Sequence, residues 1–302
     1  MRQKKYGNGK GFLFVLPHLA GVLCFYFFPF ADVLRRSFVQ ASGGGFVGLA
    51  NYRQVLTNRA FLLAASNTAR FDIVCLPLLL GLALLIAVLL NGIKKMAGVF
   101  SSIFLIPMTI PAASIVFLWK VVFDSHGLLN GVLHAMEIGG REWLSGADSF
   151  YVLVFSYIWK NLGYVVVLFT AVLDGIPAEI YEAAKMDGAD GKACFVYMTL
   201  PLIRKGVFAI FVLSFLGTFR VFREAYLVAG SYPPQQIYML QHVFNNWFVN
   251  LSMDKLAAGA VLLAVVLSIL LLFMNRGLAG DEGENGKAKH GRSADGGARD
   301  EK

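Results

Sequence analysis

Residues 174–205 read DGIPAEIYEAAKMDGADGKACFVYMTLPLIRK, a polar, charged stretch of 32 residues set between two apolar runs of membrane length. Alanine and straight-chain residues fill its first part, including Glu182, Ala183, Ala184, Lys185 and Met186, and such residues lose little freedom in a helix. Asp187 and Gly188 break that helix before Ala189, because glycine takes a left-handed cap at no steric cost. A second short helix can follow through Phe195 and Thr199, and Pro201, after Leu200, restrains the return to the apolar run. The stretch reads as a small ordered unit outside lipid, and the chain on either side has to be explained by what it flanks.

Composition explains it. With 57% hydrophobic and 15% charged residues in 302, the chain departs from ordinary soluble proteins. A hydrocarbon core of about 30 Å needs roughly 17 to 25 apolar residues to cross it as a helix. Helices meeting that need are expected at about 12–34, 71–91, 99–121, 150–173, 207–229 and 256–275. Backbone groups in lipid must be satisfied internally, and no alternating ten-residue barrel pattern is present, so the fold class is an all-α integral membrane protein with six transmembrane helices. The membrane domain therefore covers 12–275, with the polar loop at 174–206, after a short N-terminal segment at 1–11. Residues 276–302 turn to Gly, Asp, Glu, Lys and Ser without apolar period and are expected to be disordered.

Several functional classes drop out. The net charge of +8 is scattered among loops, with no basic stripe interleaved with aromatics, so nucleic acid is not a partner. Cys24, Cys75 and Cys194 are unrelated in spacing and read as small buried hydrophobes, giving neither a disulfide framework nor a zinc site. The histidines at 18, 126, 134, 242 and 290 have no metal-ligand spacing. No Gly-x-x-x-x-Gly-Lys followed by Ser or Thr occurs, since Gly191-Lys192 precedes Ala193 and Gly286-Lys287 precedes Ala288. The chain is therefore not an enzyme and binds no cofactor of its own, and any nucleotide hydrolysis comes from another protein. The first apolar run is too long for a signal h-region and lacks a small-x-small cleavage site before Arg35 and Arg36, so it reads as a retained helix.

Orientation follows from Lys and Arg in the loops. With the N-terminus and C-terminus inside, and Lys120 at the end of the third helix counted with the outer loops, sixteen fall on the inner side and eight on the outer, or ten against eight without the tail.

The 174–205 stretch resembles the coupling loop of binding-protein-dependent ABC importer permeases, in the carbohydrate-uptake branch similar to the maltose permease. Glu182-Ala183-Ala184, Asp187-Gly188-Ala189 and Leu200-Pro201 stand at that family's spacing. The resemblance extends to Val47-Gly48-Leu49-Ala50-Asn51-Tyr52, to Ser66-Asn67-Thr68, to Gly127–Asn130 and to Trp143-Leu144. It departs after the fifth helix, where Ala229-Gly230-Ser231-Tyr232-Pro233-Pro234 replaces the family's Thr-x-Gly-Gly-Pro, and at Arg223, where an acidic residue is common. The family implies a type I importer fold in a bacterial or archaeal plasma membrane. It implies partnership with a second permease subunit as a heterodimer, with ABC ATPase subunits that use ATP and Mg2+, and with an extracytoplasmic solute-binding protein. Glu182, Ala183, Ala184, Asp187, Gly188, Ala189, Leu200 and Pro201 would then form the surface gripped by the ATPase.

Charge inside the membrane marks a second site. Lys160 lies in the fourth expected helix and Arg220, Arg223 and Glu224 in the fifth, and each charge at the centre of a lipid-facing helix costs roughly 2.5 to 3.5 kcal/mol. They should face a cavity or a partner. Arg220 and Glu224, four apart, can pair on one face, and helical rotation puts Ser214 and Thr218 on another. In the resembling permeases the face carrying Ser214, Thr218 and Val221 lines the sugar path, with Trp159, Lys160, Asn161, Gly163 and Tyr164 opposite. The expected cargo is a sugar or oligosaccharide. A glycerol phosphate on the same machinery is an alternative, as is an ion-coupled secondary carrier, although a carrier has no use for the 182–201 loop.

Overall fold

A computed structural model of the chain describes residues 8–41, 44–92 and 94–295. The first apolar run forms α1 (Asn8–Val22), a π-helical turn (Leu23–Phe27) and α2 (Phe28–Arg36). Proline has no N–H to give the helical ladder, and the wider turn falls immediately before Pro29 in the first turn of α2. A short α3 (Ala50–Leu56) leads to α4 (Arg59–Asn91), a 33-residue helix that begins well before the expected position 71. At about 1.5 Å per residue it is longer than a hydrocarbon core is thick, so its first turns extend past the apolar window.

The third expected helix, 99–121, is two helices: α5 (Lys94–Thr109) and α6 (Ala112–Phe123). The residue before a proline is pushed out of the helical region, and Ile110 precedes Pro111, whose ψ of 141° caps α6. Then come α7 (Leu128–Ala135), α8 (Ser149–Asp174), α9 (Ala178–Met186) and α10 (Gly191–Ala193). A second π-helical turn (Cys194–Thr199) precedes α11 (Leu200–Thr218), again beside a proline, Pro201. A 3-10 turn (Phe219–Val221) joins α11 to α12 (Phe222–Ala229), and α13 (Leu240–Val249) and α14 (Met253–Asp295) complete the chain. The fifth apolar helix thus starts at 200 rather than 207. α14 continues as helix through 276–295, where composition predicts disorder, because extending an existing helix needs no new nucleus. The remainder of the expected tail, 296–302, lies outside the described residues, as do residues 1–7 of the N-terminal segment.

Among the described residues six segments are long and apolar enough to cross a membrane: Phe12–Arg36, Arg59–Asn91, Ala112–Ala135, Ser149–Asp174, Gly191–Tyr226 and Met253–Met274. Gly98–Thr109 is a shorter apolar helix.

One compact unit comprises residues up to 62 together with 244–273. Its packing is aromatic: Phe61 stacks on Trp247 at 6.0 Å, and a Cβ on Gly259 would stand 2.9 Å from the rings of both Phe244 and Trp247. Asn51, from the Val47–Tyr52 motif, donates through Nδ2 to the carbonyls of Ser37 and Val39 at 3.0 and 2.9 Å. In Phe12–Arg36 the apolar side chains point outward, and Cys24 is exposed rather than buried, since nothing within the unit covers that helix.

The other unit, 63–243 with residues after 273, holds the larger core. Phe71, Leu79, Phe150, Phe169, Leu173 and Ile203 are almost wholly removed from solvent, and α8 packs against α5 and α11. The α5–α8 contact closes at Gly163, where a Cβ would run into the backbone carbonyl of Phe104. On the α11 side a Cβ at Gly206 would meet the methyls of Val172 at 2.5 and 2.7 Å. The remaining motif residues act as clasps. Asn67 Nδ2 donates to the carbonyls of Gln235 and Tyr238 at 2.5 and 3.0 Å, and Thr68 Oγ1 accepts from the Leu240 N–H at 3.1 Å. Asn130 donates to the Ser125 and Arg141 carbonyls and accepts from the Trp143 indole at 3.0 Å. His242, fully buried and edge-on to Phe222, accepts the Met239 N–H at Nδ1, and burial pushes its pKa down to about 4. The ring therefore stays neutral near pH 7 and fixes the turn that enters α13.

Candidate functional site

Two features carry chemistry. The first is the polar loop. α9 starts behind Pro177, with Glu179 in its first turn, where a negative charge suits the helix dipole. It stops at Met186 in a Schellman cap: the Gly188 N–H donates to the Lys185 carbonyl at 3.1 Å and the Ala189 N–H to the Ala184 carbonyl at 2.9 Å. Asp187 occupies the cap itself, and Gly188 has φ +81°, a left-handed conformation that L side chains enter at a cost of roughly 1 to 2 kcal/mol. Asp190 Oδ1 then accepts the Ala193 N–H at 2.6 Å and caps α10.

The loop is tied back on itself. Tyr181 on α9 shares a hydrogen bond of 3.0 Å with Thr199 in the π-helical turn, just before Leu200 and Pro201 open α11. Ala184 is buried, whereas Glu182, Ala183 and Met186 face out, Met186 being 88% exposed. The two alanines of one motif therefore have different jobs: Ala184 packs within the unit and Ala183 is left accessible. Met186 belongs to none of the sequence motifs. Its signal is an apolar side chain set between Lys185 and Asp187.

The second feature is a cavity of about 500 Å³ in the 63–243 unit, walled by α8, α11 and α12 with Leu79 and Met108 closing it. Of the residues expected along a path, Lys160, Asn161, Tyr164 and Ser214 line it together. Trp159 instead meets Trp119 edge to face at 5.3 Å, Gly163 is spent on the α5 contact, and Thr218 and Val221 line a separate small cleft. Met108, Leu213 and Leu216 also reach the cavity, with nothing in their apolar sequence context to mark them.

The charges pair differently from the sequence expectation. Glu224 binds Lys160 across 64 residues, with Nζ to Oε1 at 2.5 Å and both side chains largely buried, rather than Arg220 one turn away. The 3-10 turn at Phe219–Val221 is the reason. Tighter winding rotates α12 relative to α11, so Arg220, Arg223 and Glu224 share the cavity with Ser214, while Thr218 and Val221 turn elsewhere. Asn161 Nδ2 is engaged by the Tyr157 carbonyl at 2.9 Å, leaving its amide oxygen as an acceptor. The Ser214 hydroxyl is buried without a hydrogen-bond partner among the described residues. Arrayed in this way, the wall can bind a polar solute.

Residues 79–279 match the family described as "Binding-protein-dependent transport system inner membrane component". The chain is 33% identical over 236 residues to the trehalose/maltose transport system permease protein MalF of Thermococcus litoralis, covering 76% of this chain and 80% of that one. It is 29% identical to the sn-glycerol-3-phosphate transport system permease protein UgpA of Agrobacterium fabrum, over 88% of this chain and 93% of the relative. Its fold is similar to that of a bacterial alginate ABC transporter solved in complex with alginate pentasaccharide-bound periplasmic protein. The TM-score there is 0.75 at 20% identity, covering 88% of this chain and 92% of the other.

Proposed function

Since the chain belongs to the binding-protein-dependent transport system inner membrane components, a family of multi-pass permease subunits rather than enzymes, we propose that it forms part of an ATP-driven importer of a sugar or oligosaccharide. A second permease subunit completes the pathway, an extracytoplasmic binding protein delivers the cargo, and separate ATPase subunits consume ATP and Mg2+. Relatives named for trehalose/maltose, arabinooligosaccharide and lactose transport support the cargo class.

The observation that carries this reading is the capped α9 between two spanning helices, with Glu182, Ala183 and Met186 outward and Tyr181 bonded to Thr199 in the turn that opens onto α11. A helix capped at its end and bonded to the neighbouring turn moves with that turn. With the 174–206 loop in the cytoplasm and both termini inside, closure of an ATPase cleft around α9 shifts α11 through the Tyr181–Thr199 contact, and α11 forms one wall of the cavity. The cavity then opens to one side of the membrane and afterwards to the other.

The test uses the full-length chain, affinity-tagged and purified from its own membrane with the proteins that accompany it, then placed in proteoliposomes. Uptake of labelled oligosaccharide is expected only with ATP on the α9 side and binding protein on the other. Uptake driven by an ion gradient with no nucleotide-binding companion overturns the proposal.

A further inference from the structure

We infer that the cavity selects cargo carrying an anionic group, a carboxylate or phosphate on a polyhydroxyl body; the inference rests on the cavity being the translocation site proposed above. Four charged side chains line it: Lys160, Arg220, Arg223 and Glu224. Glu224 neutralises Lys160 at 2.5 Å, with 12% and 15% of the two side chains exposed. Two positive charges remain, on Arg220 and Arg223, and neither has a carboxylate partner among the described residues.

Their placement is built by the backbone. In a 3-10 turn residues three apart eclipse one another, and Arg220 lies in the Phe219–Val221 turn with Arg223 three residues on, at the start of α12. Both side chains reach the same cavity. Guanidinium keeps its proton at any physiological pH and presents a planar fork matched to carboxylate and phosphate oxygens. Lys160 has Glu224 as its partner. Arg220 and Arg223 have no such partner and stand exposed on the cavity wall, where a charge at membrane depth is costly unless water or a counter-ion meets it. An anionic cargo supplies the missing partner, whereas a neutral sugar leaves both charges uncompensated once water is displaced. Asn161 and Tyr164 offer neutral groups that a polyhydroxyl body needs.

Binding is measured on the purified complex in nanodiscs, without binding protein so that its selectivity does not intervene. Radiolabelled digalacturonate, neutral galactobiose and glycerol 3-phosphate are the probes. An anionic probe is expected to bind about tenfold or more tightly than galactobiose, the equivalent of one charge-assisted contact, and to weaken as salt rises. Arg220→Gln with Arg223→Gln should erase that preference. Arg220→Lys with Arg223→Lys, which keeps both charges, should retain part of it and controls for misfolding. Tighter binding of glycerol 3-phosphate than of digalacturonate supports the inference with phosphate as the anion. In that case the sugar reading fails in the uptake assay while this one stands. Equal binding of neutral and anionic probes, a preference unchanged in the glutamine pair, or no binding of any anion at millimolar concentration overturns it.

Discussion

Replacing Gly163 with alanine is expected to cost several kcal/mol and to leave little monodisperse protein after detergent extraction. A Cβ at this position falls on the Phe104 carbonyl and within 3.0 Å of the Leu105 nitrogen, both backbone atoms of α5. Backbone cannot swing aside as a flexible side-chain end does, so α5 and α8 must move apart. Overpacking of a tight contact costs about 1 to 3 kcal/mol even where side chains can yield, and more is expected here. The consequence reaches the cavity, because Lys160, Asn161 and Tyr164 on α8 are positioned by that same contact. Gly81→Ala is the control. A Cβ at Gly81 has open space around it in the middle of α4, and alanine favours a helix over glycine by about 1 kcal/mol. Fluorescence-detected size exclusion and melting in one detergent compare the two. A Gly163→Ala protein as stable as its parent would mean that α5 and α8 do not approach backbone to backbone.

The second large effect is expected at Gly188. It sits at φ +81° with nothing within 4 Å of a built Cβ, so substitution meets strain in the backbone and no collision. Valine, branched at Cβ, is the least tolerant of left-handed geometry, while asparagine enters it readily. Gly188→Val should therefore undo the Schellman cap, release the end of α9 and reduce ATP-driven uptake to background, with membrane insertion unchanged. Gly188→Asn should insert equally and keep most of the uptake. The pair separates conformation from bulk: similar uptake by both variants would remove the cap from the transport mechanism.

How far the fold and the site are legible in the sequence depends on the range over which each residue acts. Helix breaks set by covalent chemistry can be read, and Asp187-Gly188 ends α9 where its left-handed φ implies. The proline at Pro111 carries an equally local signal, yet an unbroken apolar run from 99 to 121 masks it, and hydropathy reports length without reporting continuity. The start of α4 is hidden for a related reason: Arg70 and Asp72 end the apolar window while the helix continues back to Arg59. Asn51, Asn67 and Asn130 are visible as motif members, but their work is structural, each donating its amide to carbonyls distant in the chain. Partner choice is the least legible. Arg220 is the local candidate for Glu224, and Lys160 wins because a three-residue change of winding turns the carboxylate towards α8. Ala183 and Ala184 cannot be told apart by type. Only the packing of α9 assigns one to the interior and the other to the surface.

On the proposed function, an ATPase grips this chain at α9. A cysteine at Ala183, introduced after Cys24 is changed to serine so that only the buried Cys75 and Cys194 remain, reports on it directly. In native membranes a short thiol-reactive cross-linker should join that position to the nucleotide-binding subunit, in a yield that changes when ATP is added. Active transport with no cross-link from position 183 to any nucleotide-binding protein would contradict the account.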